Sequence, residues 1–523
     1  MTRKLLPIGL TSLADIRKTN CYYVDKTPLI VELLTTSRYV FLSRPRRFGK
    51  SLTIDTIDEL FSGNKALFEG LYAEQHWDWN QTYPVIRLSF AGEAKKYNPE
   101  GLNQYITNII YENAENLGIL FDEREENSGE EYLFRSLVRK AQQKYGKQVV
   151  VLIDEYDKPI IDNLNNTEIV LEIRDILKSL YSQLKDLAPS IRFAMLTGVS
   201  KFGQMSLFSG LNHLNDITLR KKYSDLCGYT QAELEEVFAP ELENVDLGQL
   251  KHWYNGYNWT GESVYNPFDI LSFFDNDNLY QSYWISTGGN TSFLYKAIQQ
   301  HHFSILGMKR AVNTMGLMSS MDVGSLSPLS IMFQTGYLTI DQVVMETTGA
   351  NYTLKFPNKE VRLAFNNELW RWYLPLNMES VSTQQSNLVQ ALRQGDIEGL
   401  RQVIRSAFAS LPHDWYRKNE IAHYEGHWAS AFYMFFASCC EEVKAEEATN
   451  QGRADMVVME GGNVYIFEFK MAHAGNANSA LAQIKEKHYA EKYRATAKQI
   501  FEIGVSFDAE SKTLEFAVSN ESL

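Results

Sequence analysis

The feature that most restricts how this chain folds is an unbroken apolar run, Val149-Val150-Val151-Leu152-Ile153, that stops abruptly at Asp154-Glu155. A strand with one face in water alternates apolar and polar residues. A run without alternation is buried on both faces, as in a parallel sheet covered by helices. Further β-type runs lie at 39–43, 84–90 and 191–198, with a weaker one at 215–219. Helical periodicity fills intervals between them, around 99–116, 130–144 and 166–187. Strands alternating with helices predict an α/β domain built on a parallel sheet.

One of these strands runs into a loop with phosphate-binding character. FLSRPRRFGKSL, residues 41–52, ends in Gly49-Lys50-Ser51, yet Arg44 stands where the general G-x-x-x-x-G-K-[ST] pattern begins with glycine. Leu52, Ile54, Ile57, Leu60 and Phe61 then recur near helical spacing, and Gly63-Asn64 supplies a stop, so the loop joins a strand to a helix. There, backbone N–H groups at the helix N-terminus face an anion, aided by the helix dipole. The stretch Arg47-Phe48-Gly49-Lys50-Ser51-Leu52 is the expected cradle, with Lys50 reaching the β- and γ-phosphates and Ser51 placing a hydroxyl on Mg²⁺.

Gly-Lys-Ser alone is common by chance, and the acidic strand tip supplies the second half of the constellation. Asp154 is placed to hold the metal, directly or through water, and Glu155 to polarise the attacking water. Thr197 and Ser200, at the tip of the next strand, are placed to sense the γ-phosphate. Loop and acidic strand in this order predict ATP binding and hydrolysis with Mg²⁺. Tyr23 and Asp25 have two open readings, closure over the adenine or packing. Arg44, Arg46 and Arg47 also stay open between nucleotide, nucleic acid and solvent, with a neighbouring subunit's nucleotide a further reading for Arg46 and Arg47, and no arginine finger is evident.

The tail from about residue 420 returns to α/β texture. A helix over 425–439, a strand over 454–459, a Gly461-Gly462 turn, a strand over 464–471 and a helix over 477–493 follow in order, with two more β-type runs at the end. Strand side chains alternate, so Glu468 and Lys470 share one face while Phe467 and Phe469 take the other. The turn folds the second strand back and brings Asp455 beside Glu468, close enough to share a divalent ion. This is the D-x(n)-E-x-K core of the PD-(D/E)XK nuclease fold, in which two carboxylates hold Mg²⁺ and the lysine stabilises developing charge. Glu425, opening the preceding helix, matches the extra acid that many such nucleases carry. Gln483 and Lys485 are candidates for the same pocket. His423, His427 and His473 read as surface or packing residues.

Composition narrows the classes further. With 523 residues the chain expects two to four domains. The net charge of −13 argues against a uniformly basic coat, but not against a local basic groove. Four cysteines without a C-x-x-C pair point to neither a disulfide framework nor a zinc site, and they fit a reducing cytosol. No stretch approaches the ~20 apolar residues of a membrane span. The N-terminal apolar run is broken by Pro7 and Gly9, so a signal peptide is not expected.

YYVDKTPLIVELL, RPRRFGKSL, VLIDEYDKP and LTGVSKF together resemble the bacterial and archaeal AAA-ATPase-like family, over roughly residues 5–225. Residues 412–515 resemble the nuclease-like domain that often accompanies it. Arg-Pro-Arg-Arg-Phe-Gly-Lys-Ser is that family's usual loop, so Arg44 departs from the general pattern alone. The resemblance implies an additional-strand P-loop fold, with Asp154 and Glu155 on its acidic strand. The expected organisation is an ATPase domain over 1–226, a mostly helical middle region over 227–410 and a PD-(D/E)XK domain over 411–523. For the middle region, FQTGYLTI (333–340) suggests a strand pair or a small winged unit. The expected function is an ATPase coupled to a Mg²⁺-dependent nuclease, cytoplasmic, with DNA ahead of RNA as partner and homo-oligomerisation open. The alternative is an ATP-dependent switch whose tail binds without cutting.

Overall fold

A computed structural model describes residues 3–521 except 93–97, 127, 165, 202–213, 285–293, 295–310, 314–326, 348, 374–377, 410–424, 450, 509–510 and 512, and gives the backbone alone at 311–313, 371–373, 378–380, 425–428 and 521. The chain divides into two compact units, Met1–Ala297 with Lys309–Lys359, and Ile298–Met308 with Glu360–Leu523. Among the described residues, no helix is long and apolar enough to cross a membrane.

The first unit is built on β1 (Tyr39–Ser43), β2 (Val85–Ser89), β3 (Val149–Asp154), β4 (Ile191–Gly198) and β5 (Asn215–Asp216), in the order β2-β3-β4-β1-β5 and parallel throughout. Every residue of β1 and β3 is buried, as their unalternating apolar runs require. Strand β4 lies between the loop strand β1 and the acidic strand β3, which is the additional-strand arrangement. Ser43 pairs with Gly198 and Ser89 with Asp154, so the loop and the acidic tip share the C-terminal edge of the sheet.

Helix α1 (Lys50–Ser62) leaves the loop, and α2 (Pro99–Asn116), α3 (Glu130–Tyr145) and α4 (Thr167–Asp186) pack around the sheet. Asn98 and Asn166 cap α2 and α4 by accepting from Gly101 and Ile169 amides. On α1, Asp55 accepts from the Leu13 amide and pairs with Arg87 at 2.8 Å, while Asp58 stands 3.8 Å from the same guanidinium. Burial pushes the Asp58 carboxyl up to about 6. A carboxyl whose folded pKa lies above its unfolded value stabilises the fold below the unfolded value and loses that stability as pH rises. The contribution of Asp58 to stability is therefore expected to fall between pH 3.8 and about 6 by on the order of 1–2 kcal/mol after allowance for solvent. Asp58→Asn should flatten this segment of the denaturant-unfolding profile.

The described part of the middle region also joins the first unit through residue 359. It contributes helices Gln231–Val237, Leu247–Tyr254, Pro267–Asp275 and Pro328–Thr335. A short hairpin, β6 (Asn255–Tyr257) with β7 (Val264–Tyr265), joins them, as does an antiparallel sheet of β8 (Ala311–Asn313), β9 (Thr339–Glu346) and β10 (Gly349–Lys355). Its aromatics form a core, with Leu234, Phe238, Tyr254, Tyr265 and Phe273 buried together. A strand pair is present here, but Phe333–Thr335 belong to a helix that stops at left-handed Gly336, and β9 starts only at Thr339.

The second unit holds helices Met378–Gln394 and Ile397–Ala409, then α5 (Glu425–Ala437) and a five-stranded sheet. The strands β11 (Glu442–Thr449), β12 (Gly452–Glu460), β13 (Asn463–Met471), β14 (Gln499–Asp508) and β15 (Thr513–Glu521) lie in sequence order. Only β13 and β14 run parallel, linked through helix α6 (Ala477–Glu486), and the other pairs are antiparallel. The helix expected over 477–493 ends at Glu486, because His488 takes a left-handed conformation before a separate turn, Tyr489–Tyr493. Strand β11 has no counterpart among the expected elements.

Candidate functional sites

In the first unit the loop between β1 and α1 turns on two left-handed residues, Arg47 at φ 67° and Gly49 at φ 95°. The first amides of α1 have no carbonyl partner within their own helix. Lys50 is buried behind them, its Nζ donating to the Arg44 and Pro45 carbonyls at 3.0 and 2.9 Å. Burial lowers the Lys50 pKa against the opposing pull of Glu155 and Asp154. Ser51 Oγ donates to Asp154 Oδ2 at 2.5 Å. Asp154 Oδ1 accepts from Thr197 Oγ1 at 2.6 Å and from the Glu155 amide at 3.0 Å. The serine, the acidic strand tip and the neighbouring strand thus form one hydrogen-bonded chain.

Glu155 holds a left-handed backbone at φ 54°, unusual for a residue with a side chain, and burial raises its pKa. A cavity of about 610 Å³ lies over these groups, lined by Arg46 through Thr53, Asp154 and Glu155. Its lining also includes Tyr23, Tyr229 and Phe268, with Arg47 stacked 5.1 Å over the Phe268 ring. Basic lining residues (Lys26, Arg46, Arg47, Lys50, Arg87 and Lys158) outnumber the acidic Asp154, Glu155 and Asp162. Lys26, Arg87 and Lys158 are paired with Glu233, Asp55 and Asp162, so the positive charge of the lining gathers at the loop, on Arg46, Arg47 and Lys50.

Several expected residues take other places. Thr197 is fully buried and lies behind Asp154 rather than along the cavity wall, so it positions the carboxylate. Ser200 is also outside the lining, and it donates through both its amide and its hydroxyl to buried Asp157, at 2.7 and 2.6 Å. Asp25 accepts from the Thr27 and Tyr72 amides and ties two chain segments together, whereas Tyr23 faces the cavity. The middle-region lining had no motif to announce it, because Tyr229 and Phe268 reach the cavity only through tertiary packing.

Arg44 turns inward and is almost fully buried, so none of the roles open to it from sequence fits. Its guanidinium donates to the carbonyls of Ser43, Thr218 and Tyr223 at 2.9, 2.9 and 3.1 Å, and it stacks 4.2 Å over Trp259. Burial lowers its pKa to about 10, which leaves it charged near neutrality. Its own amide donates to the Gly198 carbonyl at 3.1 Å, and its carbonyl accepts from Lys50. Arg44 therefore braces the loop from beneath. Arg44→Ala is expected to lower unfolding stability by about 3 kcal/mol, since it strands buried carbonyls. Equal denaturant midpoints for the two proteins would contradict this role.

In the second unit the Gly461-Gly462 turn has φ values of 62° and 88°, the two positive angles that a two-residue hairpin requires. It sets Glu460 opposite Asn463 and Met456 opposite Phe467, which carries Asp455 to the level of Glu468. Asp455 Oδ2 accepts from the Phe469 amide at 2.8 Å. On the other face, Phe467 and Phe469 pack on Phe436 and Phe432 of α5, 5.3 and 5.0 Å between ring centres.

Glu468 pairs in register with Gly504 of β14. A Cβ on Gly504 would lie 2.1 Å from the Ala477 carbonyl oxygen, so the glycine lets α6 settle directly on the sheet. Gln483 of that helix thereby reaches Glu468 Oε1, which Lys470 Nζ also approaches at 3.4 Å. Glu468 Oε2 is buried with no hydrogen-bond partner among the described residues. Burial, then Asp455, pushes the Glu468 carboxyl up to about 7, against the pull of Lys470.

A buried carboxylate oxygen left open beside a second carboxylate suits a hard divalent cation, as do the Ser51 hydroxyl and Asp154 carboxylate. Among the described residues no group of three or more His, Cys, Asp or Glu side chains gathers as a metal site. Glu425 opens α5 as expected, but its side chain lies outside the described residues. His423 and the His427 side chain lie outside them too, and His473 and Lys485 are exposed. Tyr489, unanticipated from sequence, donates to the Arg453 carbonyl at 2.8 Å and neighbours Gln483 and Glu468.

Known proteins match this arrangement. A family model described as predicted AAA-ATPase matches residues 7–208, and one described as PD-(D/E)XK nuclease superfamily matches residues 423–517. The chain is also 46% identical over 515 residues to the "Uncharacterized protein in vnfD 5'region" of Azotobacter chroococcum mcd 1, covering 98% of each sequence. The chain therefore belongs to one family with that relative, and it joins a domain of the predicted AAA-ATPase family to a C-terminal domain of the PD-(D/E)XK nuclease superfamily.

Proposed function

We propose that the first unit binds and hydrolyses ATP and that the second is a Mg²⁺-dependent nuclease acting on nucleic acid, DNA ahead of RNA, in the cytoplasm. The observation that carries the first half is the chain Ser51–Asp154–Thr197 at the floor of a basic cavity that also holds Lys50 and Glu155. Lys50, resting on loop carbonyls, is assigned to the β- and γ-phosphates, whose charge would offset its burial. The loop from Arg47 to Leu52 cradles the phosphates, with Phe48 anchored by Tyr257 and Trp259 at 4.7 and 5.3 Å. Tyr23, Tyr229 and Phe268 form the wall for the base. Ser51 and Asp154 are assigned to the metal, Thr197 keeps Asp154 aimed, and Glu155 orients and deprotonates the attacking water.

In the second unit Asp455 and Glu468 are assigned to Mg²⁺, with Glu425 a further acid and Lys470 beside the scissile phosphate. Bound Mg²⁺ supplies charge neutralisation of the phosphate and lowers the pKa of water. Gln483 fixes one oxygen of Glu468 and leaves the other for the cation. A second reading, an ATP-dependent switch whose tail binds without cutting, is favoured by the acidic net charge of −13. Oligomeric state is open in both readings.

Equilibrium binding of a fluorescent ATP analogue tests the nucleotide half. Wild type should bind in the micromolar range usual for such substrates, and Lys50→Ala should lose at least about tenfold in affinity, roughly one charge-assisted contact. Equal affinities would place the nucleotide elsewhere.

A further inference from the structure

Two cysteines that neither site uses stand side by side where α5 passes into β11. Cys439 Sγ and Cys440 Sγ are 4.0 Å apart. Cys439 is half-buried, whereas Cys440 is fully buried. Both of their amides donate to the Phe436 carbonyl, at 3.2 and 2.8 Å. Arg362 spans the same turn, donating to the carbonyls of Ala437, Cys440 and Glu441 at 3.3, 3.2 and 2.8 Å. Glu460 accepts from the Glu441 amide at 3.2 Å and pairs with Arg393 at 2.7 Å. The dithiol is therefore held at a junction fixed on both sides.

We propose that Cys439 and Cys440 form a reversible oxidation site, in which a hydroperoxide reaching Cys439 closes a disulfide between the two neighbouring residues. The Cys439 thiolate attacks the peroxide oxygen, giving a sulfenic acid and releasing water or an alcohol. The Cys440 thiol then displaces hydroxide from that sulfur, forming the S–S bond and a second water. Two thiols lose two electrons and two protons, and one hydroperoxide is reduced. Exposure assigns the order, since only Cys439 meets solvent. The hydrogen bond with Cys439 and burial hold the Cys440 thiol well above its ordinary range, so it is not the group that meets the peroxide first.

Closure requires the sulfurs to approach from 4.0 Å to the ~2.05 Å of a disulfide. Consecutive Cα atoms stand about 3.8 Å apart, below the usual ~4.4–6.8 Å span of a disulfide. The bond is therefore strained and belongs to the easily reduced, regulatory class. The peptide between the cysteines must also turn, which pulls the Cys440 carbonyl from Arg362 and loosens the start of β11, where Glu442 pairs with Met459 of β12.

The test uses the full reduced chain treated with hydrogen peroxide, alkylated after unfolding, digested and weighed by mass spectrometry. The peptide containing both cysteines is expected to lose two hydrogens and resist alkylation. A phosphine reductant should restore it to a doubly alkylated form, while Cys21 and Cys227, both buried, stay alkylatable throughout. In Cys440→Ser the sulfenic acid on Cys439 has no partner, so dimedone should label that residue and leave wild type unlabelled. The proposal fails if wild type yields sulfinic acid on Cys439 with Cys440 still alkylatable, if neither cysteine changes, or if the disulfide joins two chains. Equal dimedone labelling of the two proteins would overturn it as well.

Discussion

Glu155→Gln is expected to retain ATP while hydrolysing it on the order of 10²–10⁴-fold more slowly than wild type, the usual contribution of a positioned general base. The amide keeps the shape of the side chain but cannot take a proton. The fold should tolerate the exchange, because among the described residues no hydrogen bond holds the carboxylate, and the unusual feature is the backbone at φ 54°. That conformation costs about 1–3 kcal/mol and persists where the surroundings enforce it. Here the Glu155 amide is held by Asp154, and the Tyr156 amide donates to the Thr197 carbonyl at 3.0 Å. Phosphate release at saturating ATP, read beside nucleotide retained after rapid desalting, separates binding from chemistry. Hydrolysis at the wild-type rate would remove Glu155 from the catalytic assignment.

Asp455→Asn is expected to abolish Mg²⁺-dependent cleavage, and Lys470→Ala to slow it on the order of 10²–10³-fold, the loss typical of one electrostatic donor. Asparagine is the informative choice, since its amide oxygen still accepts from the Phe469 amide and preserves the β12–β13 geometry. What disappears is the negative charge facing Glu468. A further consequence follows for Glu468, whose carboxyl lies near 7 partly because Asp455 is beside it. Removing that charge should lower its pKa, measurable by NMR titration of the Glu468 carboxyl in the metal-free variant and wild type. Cleavage of plasmid or single-stranded nucleic acid by Asp455→Asn at the wild-type rate would deny the pair its role.

Much of this architecture is written locally in the chain. Strands buried on both faces, such as β1 and β3, declare themselves as unbroken apolar runs, and the Gly461-Gly462 turn fixes which acid meets which. Strand β11 stayed hidden for the opposite reason. Its residues, Glu442-Val443-Lys444-Ala445-Glu446-Glu447-Ala448-Thr449, are half of them charged and none is buried, because it is an edge strand, where charge guards against unwanted pairing. The helix over 477–493 was overextended because Tyr489 and Tyr493 continue the apolar rhythm after the backbone has turned at His488. Arg44 was illegible for a longer-range reason, since its partners Thr218 and Tyr223 lie 174 and 179 positions away. The approach of Tyr229 and Phe268 to the cavity and the inward turn of Thr197 depend on tertiary packing in the same way.

Whether an ATP site governs a metal-dependent nuclease in this chain is decided by measuring nucleic-acid cleavage and phosphate release together. Wild type, Lys50→Ala and Asp455→Asn would be compared with Mg²⁺, with and without ATP. Wild type should release phosphate and cut, Lys50→Ala should lose phosphate release and any dependence of cutting on ATP, and Asp455→Asn should hydrolyse ATP without cutting. Equal cutting by all three, or none by wild type under any condition, would contradict the account.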